Sequence, residues 1–194
     1  MMLNTTEYTV LFIIGVAAAF YVRKRYNEVS YVNSSVDDNQ YIVQNKKDKQ
    51  RAANILARLN RKIKALIAHV KQNHPERDGV ARLADNYDPS SISEGTEDSD
   101  YTSYSVNKGE KIVFCLRQRD DKNEDDFVDE NVLMYVATHE LGHLMTKEIG
   151  HTKSFWDNFK FLLHEAERID LYKKVDYAKS PVRYCGLSIR HSII

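Results

Sequence analysis

The sequence has no excess of charge of either sign: 28 Lys and Arg stand against 28 Asp and Glu. No global field therefore argues for a nucleic-acid partner. Glycine (7) and proline (3), the residues that punctuate sheets of many short strands, are scarce. That scarcity fits a helix-rich chain better than a β-sandwich. Two cysteines, Cys115 and Cys185, are too few for the disulfide framework of a small secreted domain. Read with the orientation argued below, they are expected as reduced, buried thiols. No internal repeat is visible, and 194 residues leave room for one domain and little more.

What is present begins with an uncharged run, YTVLFIIGVAAAFYV, from Tyr8 to Val22. As a helix it spans roughly 22 Å, short of the roughly 30 Å hydrocarbon core, with Thr5 and Thr6 adding a little. Arg23, Lys24 and Arg25 follow it, and the only charge before it is Glu7. The positive-inside rule then gives a single N-terminal anchor with the rest of the chain in the cytosol or virion interior. A cleaved signal, using the small residues Ala17 to Ala19, and a buried core helix are the competing readings. The expected organisation is an anchor over 1–25, a polar stalk over 26–45 and a folded domain over 46–194.

Within that domain, Ile55, Leu56, Leu59, Ile63, Leu66, Ile67 and Val70 repeat at helical spacing. The opposite face is basic: Lys46, Lys47, Lys49, Arg51, Arg58, Arg61, Lys62, Lys64 and Lys71, against one Asp48. Anionic lipid, nucleic acid, or neutralisation by the acidic loops at 94–100 and 120–130 can each account for such a face. Nucleic acid is the least favoured, because no aromatics interleave with the basic residues as a stacking platform requires. Residues 85–100 read as a loop. Tyr101 to Val106 and Lys111 to Arg117 read as a hairpin turning at NKGE. A helix with apolar residues nearly all round runs from about Asn131 to Ile149, capped by Asp129 or a neighbour and stopped by Gly150. Ser154 and Asp157 resemble a capping box opening another helix to about Lys174. A short strand is expected near Leu187.

The apolar helix carries His139, Glu140 and His143. Histidines at i and i+4 share one helix face and can reach one zinc ion. Glu140 is rotated about 100° from His139, where it can serve a water without binding the metal. Three polar side chains in such a helix would cost several kcal/mol if left without partners, which argues against chance. His151 follows the glycine turn and is the expected third ligand, with Glu165 on the next helix as its competitor. His164 is expected at the surface. His69, His74 and His191 carry no partner pattern.

The stretch THELGHLMTKEIGHTKSFW resembles the WLM and SprT-like metallopeptidases. Together NVLMYVATHELGH, GHTKSFW and VDYAKSPVRYCG look closest to membrane-anchored WLM-like metallopeptidases of large DNA viruses. The gap from His143 to the third histidine is longer than in the cellular pattern. The resemblance covers about residues 105–190. It implies an α+β, zincin-like minimal domain with a small antiparallel sheet around a central H-E-x-x-H helix, a Zn2+ cofactor and a protein or peptide substrate. It further implies that the strand KIVFCLR is the edge against which an extended substrate lies. Tyr184 is then a candidate donor to the tetrahedral oxyanion. Capsid or scaffold proteins and DNA–protein adducts are both open as substrates. The reading from a different class is a non-catalytic virion-membrane protein whose domain is stapled by zinc. Cys115 or Cys185 as a fourth ligand would mark that case.

Overall fold

The computed structural model describes residues 5–99, 101–119 and 126–194. The apolar N-terminal run lies in helix α1, Thr5–Glu28, whose 24 residues span roughly 36 Å, enough to cross a hydrocarbon core. Thr6–Arg23 is not buried in the fold, and Phe12, Ile13 and Phe20 are exposed. A bare apolar surface of that length marks a membrane or partner contact, and a signal sequence has the same composition.

The segment expected as a stalk is structured. Helix α1 runs directly into β1, Val29–Asn33, which turns back as β2, Gln40–Gln44. The two pair antiparallel, with Tyr41 and Val43 in the core. Their sequence is half polar because β1 is a sheet edge with one wet face, and a weakly alternating strand gives little signal. The 85–100 loop likewise contains a buried strand, β3, Ile92–Glu94. Strands β4, Ser103–Val106, and β5, Lys111–Phe114, form the expected hairpin. The sheet order is β1-β2-β3-β5-β4. Strands β2/β3 and β3/β5 pair parallel, so the sheet is mixed rather than antiparallel. In this order β5 is interior and β4 is the edge, which corrects the expected placing of KIVFCLR.

Helix α2, Lys49–Asn73, covers the sheet with the predicted apolar stripe, every member of which is buried. Its basic face meets the acidic loops in part: Arg58 and Lys62 reach Glu130 at 2.7 and 3.5 Å, and Lys46, just ahead of the helix, reaches Glu97 at 3.3 Å. Residues 120–125 of the second acidic loop lie outside the described residues. Buried Arg117 ties Glu94 on β3 to Asp48 ahead of α2, each at 2.8 Å.

A short helix, α3 (Val80–Asn86), leads to the sheet, and α4, Glu130–Met145, packs on α2 and α3. Asp129 caps α4 as expected, accepting from the amides of Asn131 and Val132. The helix ends at Met145, a turn short of Gly150. Helix α5, Lys153–Arg168, begins at a Thr152 cap rather than at a Ser154–Asp157 box, because Asp157 pairs with Lys153 at 2.8 Å instead. It also stops six residues before the expected Lys174. Helix α5 crosses α4 closely at Gly142, where a methyl group would meet the Phe155 ring at 3.1 Å. A C-terminal hairpin, β6 (Val182–Tyr184) and β7 (Leu187–Ile189), closes the chain. Cys185 within it is disulfide-bonded to Cys115, just after β5. The expectation of reduced thiols is therefore overturned. Both cysteines are buried, as expected, but their pairing depends on a contact across 70 residues that no local pattern reports.

Candidate metal centre

His139 and His143 stand one turn apart on α4, and the Gly150 turn, at φ 86°, returns His151 onto them. The three ring centroids are 4.9–5.0 Å apart. One nitrogen from each lies within 4.8 Å of the others, and His139 Nε2 and His151 Nε2 are 3.1 Å apart. Two nitrogens on one tetrahedral zinc sit roughly 3.3 Å apart, so the three rings fit a single ion. Phe155, from the first turn of α5, stacks on His143 at 4.3 Å and meets His139 edge-on at 4.8 Å. Burial, followed by the charges of His143 and His151, pulls His139 down to about 3. Burial, with His151 and Lys108, pulls His143 down to about 4. Neutral imidazoles are the metal-binding form.

Glu140 is 4% exposed and is not one of the converging ligands. Burial pushes its carboxyl up to about 7 against a hydrogen bond with Ser105, which draws it down. All four side chains open onto a cleft of about 530 Å³ whose other wall is β4 and its turn, including Ser103, Ser105 and Lys108. The Lys108 ammonium donates to the carbonyls of His143, Thr146 and Glu148, at 3.1, 2.7 and 2.7 Å. It thereby satisfies carbonyls that the end of α4 leaves free, and fixes the loop that delivers His151. Arg82 donates to the Met145 carbonyl at the same helix end. The turn was legible in the sequence. The work of its lysine was not, because its acceptors lie 35–40 residues away.

Tyr184 is 3% exposed, and its hydroxyl is hydrogen-bonded to Ser103 Oγ. Ser103, rather than Tyr184, lines the cleft. Glu165, the competing third ligand, lies with His69 and His74 instead. His164 is half exposed near Glu167, as expected of a surface residue. The disulfide leaves neither Cys115 nor Cys185 as a thiolate for a fourth coordination position.

Comparison with known proteins bears on this arrangement. The WLM domain matches residues 36–191. Uncharacterized protein R325 of Acanthamoeba polyphaga mimivirus is 33% identical over 189 residues, covering 95% of this chain and 94% of that protein. Uncharacterized protein 136R of Invertebrate iridescent virus 6 is 38% identical over 71 residues, 36% of this chain and 38% of that one. The crystal structure of Wss1 from Saccharomyces cerevisiae shares the fold with a TM-score of 0.51 and 25% identity, over 66% of this chain and 87% of the chain in that crystal structure. The family match begins inside the β1–β2 hairpin and ends beyond β7, so it takes in every element of the site, and this chain belongs to the WLM-domain family of metallopeptidases.

Proposed function

We propose that the chain is a zinc-dependent endopeptidase held at a membrane by α1. The observation that carries this reading is the convergence of three imidazoles in an open cleft that also holds the Glu140 carboxyl. His139, His143 and His151 would hold the ion, and three protein ligands leave the open position of a catalytic site. Zinc bound there supplies Lewis acidity, which acidifies water and polarises a carbonyl oxygen. Glu140 takes the proton of the attacking water and returns it to the leaving amine, as a buried carboxyl beside the ligands can do.

An extended substrate pairs with the free edge of β4, which forms the cleft wall, by strand addition. Tyr184 serves the oxyanion from beside Ser103, with its hydroxyl turning from that serine to the substrate. Arg23, Lys24 and Arg25 place the domain on the cytosolic or virion-interior side, where closing the Cys115–Cys185 bond requires an oxidant. The partners are a protein or peptide substrate and the membrane. Nucleic acid is not favoured, since Glu130 already meets Arg58 and Lys62 on the basic face of α2 and Glu97 meets Lys46 just ahead of it. A non-catalytic zinc staple is less well supported, because it needs a fourth ligand and both cysteines are spent in the disulfide.

Glu140→Gln tests the mechanism. The variant should keep its zinc and lose about 10²–10⁴-fold in cleavage of an unstructured protein substrate. Cleavage at the parent rate would rule out Glu140 as the base.

A further inference from the structure

At the far end of α5 from the cleft, a second set of ligand-type side chains comes together. His69 belongs to the last turns of α2, His74 follows that helix, and Glu165 lies on α5. One ligand atom from each lies within 4.8 Å of the others. Glu165 Oε2 is 2.8 Å from His69 Nε2 and 3.2 Å from His74 Nε2. Its other oxygen is 3.3 Å from Arg168 Nη1. The Glu165 side chain is 4% exposed, so this is a carboxylate withdrawn from water into a cluster of nitrogens.

We propose that His69, His74 and Glu165 form a second metal-binding site, for a borderline divalent ion of the zinc class. Two features point past a plain hydrogen-bonded network. His74 Nε2 is buried and makes no hydrogen bond, although it faces the Glu165 oxygen, so that contact is off the direction a hydrogen bond needs. A buried ring nitrogen left with a charge contact and no hydrogen bond is poorly satisfied, and a bound ion would satisfy it. The donors are also two imidazoles and one carboxylate, the mixed set that zinc takes with an open position, at separations near those of ligands sharing one ion. On the outer side of the His69 ring, the Asn73 amide lies 3.1 Å from Nδ1, where an outer-shell partner fixes the orientation of a ligating histidine. An ion here would clamp the end of α2 to the end of α5. The first turn of α5 supplies the Phe155 that backs the first centre, so the clamp would steady the platform of His143 from a distance.

The test uses the full-length protein with the first centre removed by His139→Ala and His143→Ala. After equilibration with zinc and gel filtration, elemental analysis should find about one zinc per chain. Adding His74→Ala, or separately Glu165→Gln, should lower that to near zero. In the double variant, zinc should raise the thermal midpoint, and cobalt should give visible absorption bands of a low-symmetry nitrogen–oxygen site. These two readings need no further substitution, so they stand even if His74→Ala fails to fold. A double variant that holds no zinc, or zinc retained unchanged after both His74→Ala and Glu165→Gln, would overturn the proposal. Because the first centre is absent throughout, the outcome is independent of the peptidase reading.

Discussion

The two histidine clusters flank α5 and draw on the same side-chain chemistry, yet their carboxyl groups are in opposite states. In the cleft, burial holds Glu140 near 7, with only Ser105 drawing it down. At the other end, burial would also raise Glu165, but the hydrogen bond with His69, the close approach of His74 and the charge of Arg168 carry it below its ordinary value. A carboxylate fixed among positive or donor groups is an ion-pair partner or a ligand. A carboxyl kept apart from the nitrogens, near neutrality, is a proton carrier. The same residue types therefore imply different chemistry, and the difference lies in what surrounds the carboxyl.

The sharpest way to break this comparison is to ask which cluster owns the third ligand of the cleft. His151→Ala should weaken zinc binding in the cleft by more than the roughly 10–100-fold that changes in outer-shell partners cost. Hydrolysis should fall with it, whereas Glu165→Gln should leave zinc in the cleft. Normal cleft zinc in His151→Ala with loss in Glu165→Gln would exchange the roles assigned here. Metal analysis of the two variants in a His69→Ala, His74→Ala background, where only the cleft can hold zinc, decides it.

The next effect is on stability and bears on the cleft side alone. The disulfide ties the hairpin carrying Tyr184 to the strand beside the cleft wall. Closing a loop of 70 residues is worth roughly 4 kcal/mol by the chain-entropy account. Cys115→Ser with Cys185→Ser should lower the denaturant midpoint accordingly. If the midpoint does not move, the bond does not form in solution.

The contrast between the carboxyls has its own signature in pH. Below 4.5, Glu140 is protonated in both the folded and unfolded chain, and its contribution is fully present. As pH rises, the unfolded chain ionises first while the folded chain keeps its proton to about 7, so stability declines across that window and is flat above it. In the metal-free protein, Glu140→Gln should remove a downward slope of about 1.4 kcal/mol per pH unit between 4.5 and 7. Urea unfolding of both proteins at pH 5, 6 and 7 measures it. Parallel curves would mean that Glu140 is ionised in the fold.

The smallest expected change is a control for the second cluster. His164 adjoins Glu165 in sequence but points to solvent. His164→Ala should alter stability by less than about 0.5 kcal/mol and leave zinc content unchanged. A loss of zinc would redraw the cluster around Glu165.

Sequence by itself determined the parts of this protein that depend on neighbours along the chain. The α2 stripe, the Asp129 cap, the β4–β5 turn and the two histidines one turn apart follow from helical and strand periodicity, which the local backbone enforces. Even there the boundaries moved, since Lys153 pairs with Asp157, Thr152 caps α5 instead, and α5 ends early at Arg168. Tertiary structure alone decided the rest. Strand β3 has three residues and no pattern of its own; it is a strand because β2 and β5 hydrogen-bond to it from either side. The β1–β2 hairpin looks polar until the sheet and α2 cover one face of it. Ser105 and Lys108 become part of the cleft only when β4 is laid beside α4. His69 and Glu165, 96 positions apart, and Cys115 and Cys185, 70 apart, have no local pattern to announce them. Such pairs are chosen by the packing of whole elements against one another, an interaction whose free energy is not written in any short window of sequence.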